Sequence, residues 1–197
     1  MTAHYPDNSH DLALLHAIAA GDRDALATLY RGYHRRLGQF LTRLTRRTDL
    51  IEEIINDCFW VVWQKAGTFR GDSRVSTWIM GISYRCGLKV LRQSGSLDAS
   101  DDVDDETAAE RGHPGINPGD DRELRDWLAK GLARLSADQR LVLELAYTHG
   151  HSIEEIAVIT QAPVGTVKAR MFHARVKLRN LLPGLAVGST GTQDIQP

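Results

Sequence analysis

Residues 152–179 read SIEEIAVITQAPVGTVKARMFHARVKLR, and this stretch decides the fold. Ser152 followed three residues later by Glu155 is a capping box, so a helix opens at Ile153. Ile156, Ala157 and Ile159 continue it at helical spacing. Gln161, Ala162 and Pro163 interrupt that rhythm, and a second, longer helix starts near Val164. Small Ala157 at the centre of the first helix lets the two approach closely. Two helices of unequal length around a three-residue turn form a helix-turn-helix pattern. In the second helix Val167, Met171, Ala174 and Leu178 take inward positions, while its first turn exposes Thr166, Lys168, Ala169 and Arg170, with His173 one turn on. Basic and hydroxyl groups at a helix start suit phosphates and base edges in the major groove. A core helix with a solvated basic face is the competing reading of the same residues.

Moving upstream, Ser136 and Gln139 form another capping box, opening a helix with Leu141, Val142 and Leu145 that ends near Tyr147. Before it, Leu124, Trp127, Leu128, Leu132 and Leu135 predict one more helix. Residues 93–121 lose the apolar rhythm in favour of Ser, Gly, Pro and acid, a composition that cannot bury enough surface to offset its ordering entropy. That segment reads as a flexible acidic linker, and no EF-hand spacing occurs in it. Residues 183–197 are poor in bulky apolar side chains and read as a disordered tail.

The N-terminal half repeats the helical pattern. Leu12, Leu15 and Ile18 with a stop at Gly21 predict a short helix. From Asp22 to about Arg46, Leu26, Leu29, Tyr30, Tyr33, Leu37, Phe40, Leu41 and Leu44 form one apolar stripe. From Leu50 to about Ala66, Ile51, Ile54, Ile55, Cys58, Phe59 and Val62 share one face; Glu52, Glu53, Asn56, Asp57, Trp60 and Gln64 share the other. A tryptophan among carboxylates is the kind of anchor interfaces use, though partial burial against a neighbouring helix fits equally. After a turn at residues 69–73, Asp72 or Ser73 can cap a helix to about Arg92, with Trp78, Ile79, Ile82, Cys86, Val90 and Leu91 inward. The fold class is therefore all-α: two small helical domains joined by a linker.

The 197 residues are 42% hydrophobic and 25% charged, an ordinary globular composition. Residues 1–92 carry 13 basic and 9 acidic side chains, residues 93–123 carry 2 and 10, and residues 124–197 carry 9 and 6. Two mildly basic blocks thus flank an acidic one. Cys58 and Cys86 lack CxxC spacing and read as reduced thiols. His149 and His151 belong to no recognisable ligand set, so neither a metal nor another cofactor is expected. No P-loop, GxGxxG, GxSxG or metalloprotease pattern occurs, and an enzyme is not expected. With no signal-peptide pattern or long apolar window, a cytoplasmic location is expected.

The chain resembles the extracytoplasmic-function sigma factors. Residues 135–182 are similar to their region 4, with the Leu-x-x-x-x-Arg opening, the Ser-x-x-Glu-Ile-Ala helix and the Gly-Thr-Val-Lys-x-Arg start. GDRDALATLY, IEEIINDCFWVVW and FRGDSRVSTWIMGI resemble region 2. The resemblance implies region 2 over residues 11–92, the linker over 93–121, region 4 over 122–182 and the tail beyond. It implies core RNA polymerase and promoter DNA as partners, often an anti-sigma factor as well, and no membrane insertion. Polymerase contact would fall to Glu53, Asn56, Asp57 and Trp60. The minus-10 element, as it melts, would meet Phe69, Arg70, Asp72, Ser73, Arg74, Trp78 and Arg85. The minus-35 duplex would meet Thr166, Lys168, Ala169, Arg170, Phe172 and His173. Arg85 stands where Asn is common in the family, and His173 where Arg is frequent.

A helix-turn-helix regulator with an N-terminal sensor or dimerisation domain is the alternative reading. The acidic helix beside the FRGDS loop favours the sigma factor. The two promoter elements are separated by on the order of 17 base pairs, roughly 58 Å, whereas a relaxed linker of about 29 residues spans only about 30 Å. Its acids are also expected to compete with DNA for the basic faces, so the free chain should bind promoters weakly.

Overall fold

The computed structural model describes residues 8–45, 47–94 and 130–187. The predicted linker from residue 95 on, the tail from residue 188 on and the first part of the helix expected at 124–135 lie outside the described residues. Every regular element among the described residues is helical, with α1 at Asn8–Ala19, α2 at Arg23–Leu41, α3 at Thr48–Lys65 and α4 at Val75–Gln93. After the linker come α5 at Ala137–Leu143, a wider π-helical turn at Glu144–Thr148, α6 at Ile153–Thr160 and α7 at Val164–Val187.

Local chemistry fixes most of the boundaries. Asp22 caps α2, its Oδ1 accepting from the backbone N–H groups of Asp24 at 2.8 Å and Ala25 at 3.0 Å. The helix ends at Leu41, earlier than its stripe suggests, because Thr42 turns the chain and leaves Leu44 to pack from the connection. Both predicted capping boxes are present, Ser136 with Gln139 and Ser152 with Glu155. Gln161 closes α6 in the left-handed region at φ 55°.

The start of α4 differs from expectation. Neither Asp72 nor Ser73 caps it; Arg74 occupies the cap position without a side-chain bond. Asn8, from the first turn of α1, supplies the missing acceptor, its Oδ1 taking the Val75 N–H at 3.0 Å. A cap of this kind typically contributes about 1 kcal/mol, here through a tertiary contact.

Helices α1 to α4 enclose one core. Leu15, Leu29, Leu37, Phe40, Ile54, Ile55, Cys58 and Ile79 are fully buried in it. Asp11 is buried as well, where its carboxylate accepts a 2.5 Å hydrogen bond from the Tyr33 hydroxyl. Burial and then that carboxylate push the Tyr33 phenol well above its ordinary range. Val142, Leu145, Ile156, Ile159, Val167, Met171 and Ala174 fill the core of the second bundle. The two bundles are in contact: α6 lies along α4, and the 149–151 loop rests on α2.

Candidate functional site

Three groups of residues named from the sequence sit on three distinct surfaces. On α3, Glu53, Asn56, Asp57 and Trp60 fall at helical spacing on the face away from the core. Glu53 and Asn56 are exposed, Asp57 is half-buried, and Trp60 is 62% exposed. Asn56 accepts a 3.3 Å hydrogen bond from the Tyr30 hydroxyl of α2. Beside it, Arg23, Leu26, Ala27, Tyr30, Arg31 and Phe59 line a shallow apolar groove, with Tyr30 tilted on Phe59 at 4.9 Å. An indole over an acidic surface, next to an apolar groove, suits a partner that offers basic and apolar groups together.

The second group straddles the turn into α4. Phe69 stacks at a tilt on Trp78, with ring centroids 5.3 Å apart, and both rings are half-buried. Gly71 makes the turn with φ +77°, a conformation side chains rarely adopt. Arg70, Asp72 and Arg74 are exposed around the aromatic pair, and Ser73 is half-buried. Aromatic rings beside a cationic track are the usual means of holding single-stranded DNA. Arg85 lies two turns on, with its guanidinium folded back towards Gly81.

The third group opens α7. Lys168, Ala169, Phe172 and His173 form a continuous exposed strip, with the Phe172 and His173 rings in an edge contact at 5.5 Å. Thr166 is half-buried at its border. Arg170 is held differently, because its guanidinium pairs with Asp138 of α5. Within this strip the cation left to meet a phosphate is Lys168; Arg170 would first have to leave its carboxylate. On the opposite side Val167, Met171 and Ala174 are buried and Leu178 is half-buried, as the spacing predicts.

A fourth cluster, between the bundles, escaped the sequence reading. Glu155 uses one carboxylate oxygen for the capping box, accepting from the Ser152 N–H at 2.9 Å, and the other to accept from the Thr77 hydroxyl of α4 at 2.8 Å. Arg74 approaches that second oxygen at 3.8 Å. Arg36 of α2 donates to the His149 carbonyl at 3.1 Å and lies 3.4 Å from His151 Nε2. Arg43 pairs with Glu144 at 3.3 Å, and Phe40 meets the His149 ring edge-on. A Cβ on Gly81 would lie 3.7 Å from the Ile159 Cα, which is why the α6 backbone can come so near α4.

Both histidines are buried there. Burial, then Arg36, His151 and Arg43, lower the His149 pKa to about 4. His151 is lowered by burial and by Arg36, against the opposing pull of Glu155. The sequence signal for this cluster was present but ambiguous: the His-x-His pair suggested a metal ligand set only to be set aside, and Glu155 was fully accounted for by its cap. Among the described residues no group of histidine, cysteine and carboxylate side chains could hold a metal ion. None of the described helices is long and apolar enough to cross a membrane.

Comparison with known proteins bears on two of these surfaces directly. Residues 29–96 match the family model for sigma-70 region 2, and residues 125–178 match that for sigma-70 region 4. The chain is 29% identical over 178 residues to the ECF RNA polymerase sigma-E factor of Escherichia coli K12, covering 86% of this chain and 93% of that protein. It is also 29% identical to the protein of the same name in Haemophilus influenzae, covering 89% and 96%. Among solved structures, CnrH in complex with the cytosolic domain of CnrY is similar with a TM-score of 0.61 at 22% identity, covering 89% of this chain and 98% of that one. The sigma factor RpoE of Bartonella quintana, in complex with the anti-sigma factor NepR, gives 0.55 at 29% identity, covering 76% and 91%.

Proposed function

The chain belongs to the sigma-70 family as an extracytoplasmic-function factor, and from that premise we propose how its surfaces divide the work. It is a transcription initiation factor that directs RNA polymerase to promoters. The α3 face of Glu53, Asn56, Asp57 and Trp60 meets core polymerase. The Phe69–Trp78 ring pair, with Arg70, Asp72, Ser73, Arg74 and Arg85, meets the minus-10 element as it melts. Thr166, Lys168, Ala169, Phe172 and His173 meet the minus-35 duplex, joined by Arg170 once it leaves Asp138. Residues 11–92 and 122–182 are then the two working domains, separated by the linker at 93–121 and followed by a tail.

The family is a non-enzymatic one, and we extend that to this chain: it contributes binding and positioning, with no catalytic step, in the cytoplasm. The titles of the two solved structures describe CnrH and RpoE with inhibitory or cytosolic partners. An anti-sigma factor is accordingly a candidate partner here.

The observation that carries this reading is Trp60. Its indole lies 62% exposed on a helix whose other face is fully buried, beside three polar residues that no neighbouring helix covers. Large aromatics in such positions act as interface anchors, and truncating one typically costs about 2 kcal/mol or more of binding. Trp60→Ala and Asp57→Ala should weaken binding to core polymerase, about thirtyfold for the tryptophan. Helicity and thermal midpoint should stay nearly unchanged. Loss of folding in Trp60→Ala, or unaltered polymerase affinity, overturns the assignment.

A further inference from the structure

The contact between the bundles is too specific to be incidental. Four polar or charged side chains of the first bundle, Arg36, Arg43, Arg74 and Thr77, each find a partner on the second. Thr77 is wholly buried, and its hydroxyl is satisfied from α6. Glycine at position 81 allows backbone-to-side-chain approach along the same line. The loop bearing His149 and His151 is buried against Arg36 and Phe40, with both imidazoles held uncharged.

This arrangement conflicts with promoter geometry. Val164, the first residue of α7, follows Ile159 by five residues and so lies no more than about 18 Å from it. Ile159 itself touches α4 at Gly81, one turn beyond Trp78. The two DNA-reading elements are therefore roughly 40 Å nearer to each other than the roughly 58 Å between promoter elements requires. Arg74, a candidate for the melted strand, is also engaged by Glu155.

We propose that the α4–α6 contact is an autoinhibitory latch, in which the free chain folds its helix-turn-helix onto the minus-10 reading helix and must open there before it can span a promoter. This rests on the functional reading above. The latch is distinct from any effect of the acidic linker, since it is made by folded surfaces. A protein whose competent form is only fractionally populated binds with an apparent affinity reduced by that fraction, so weakening the latch should raise potency.

Arg43 is suited to the test because it is exposed, belongs to none of the three working surfaces and pairs with Glu144 across the contact. Small-angle scattering on the free, full-length chain should show a compact particle for the wild type, a larger radius of gyration for Arg43→Glu, and a return to compactness when Arg43→Glu is combined with Glu144→Arg. Arg36→Ala, which removes the hold on the 149–151 loop, should expand the chain independently. In run-off transcription with core polymerase, the concentration of factor for half-maximal transcript should fall about tenfold in Arg43→Glu and recover in the charge swap. An extended wild-type chain, or equal compactness in Arg43→Glu and Arg36→Ala, defeats the latch. Unchanged half-maximal concentration in the opened variants defeats its inhibitory role. Failure of every variant to support transcription would count against the functional reading, while scattering, which needs no polymerase, still decides the contact.

Discussion

Helices α3 and α4 lie against each other in one core and have nearly equal lengths, yet they treat their outer faces in opposite ways. On α3 the face away from the core stays open, and it carries a large aromatic, Trp60. On α4 the corresponding side is closed by α6, and it carries the small residues Thr77 and Gly81. Size is the reason for the difference. A glycine or a threonine admits another helix at close range, whereas an indole at the same place would hold it off. Burial alone is thus a poor guide to which face has a working role: here the exposed large residue and the buried small ones both mark contact surfaces, one awaiting a partner and one already occupied.

The largest effect expected from this pair of helices is structural. Ile79 is fully buried where α3 and α4 meet, and its carbonyl lies 3.7 Å from the Cys58 sulfur. Ile79→Ala should cost about 2–5 kcal/mol of stability, read as a lowered midpoint in denaturant. A loss below about 1 kcal/mol would mean the shared face is not the core of the first bundle.

Acidification should act on α4 and leave the α3 face untouched. His149 has its pKa lowered in the closed form to about 4, and on release returns towards its ordinary 6.5. A neutral buried imidazole stabilises the closed form fully above pH 6.5, and that contribution is lost progressively as pH falls from 6.5 to 4. The groups facing it are Arg36 and Arg43, His151, and Glu144 at 3.9 Å. His151, facing Arg36, Arg74 and Glu155, changes in the same direction. Scattering between pH 7 and 5 should therefore show the wild-type chain opening, and His149→Asn should flatten the response. A radius of gyration constant over that range contradicts the assignment.

A smaller effect is expected from Thr77→Val, which keeps the shape but leaves one Glu155 oxygen without its buried donor. About 1 kcal/mol should be lost, on the scale of one hydrogen bond. Hydrogen exchange should speed up in α6, which Thr77 does not share a chain segment with, while α3 keeps its protection. Faster exchange confined to α4 would argue that the threonine acts only within its own helix.

The smallest effect concerns the reader helix. Lys168 is exposed, and Lys168→Ala should weaken all promoters alike and lower the salt slope of DNA binding by about 1. Arg170→Ala loses an ion pair with Asp138 worth at most about 1 kcal/mol at such a partly exposed site. If Arg170→Ala changes base preference at one position, the pair with Asp138 is a resting state that breaks on DNA.

The sequence by itself determined nearly everything that depends on neighbours in the chain. The helix-turn-helix, both capping boxes, the Asp22 cap, the inward positions of α3 and α7 and the exposure of Trp60 follow from residues three or four apart, because an α-helix brings those residues together. What it could not determine are interactions between residues 60 to more than 110 positions apart. Asn8 caps α4 across 67 residues, and Glu155 meets Thr77 across 78. Arg36 reaches the His149 carbonyl across 113. In each case the local signal was already satisfied or silent: Asp72 and Ser73 offered a plausible cap, Glu155 was assigned to Ser152, and a lone arginine on a helix surface looks solvated. A side chain with two acceptor oxygens can serve a local cap and a distant donor at once, and only the tertiary structure reveals the second.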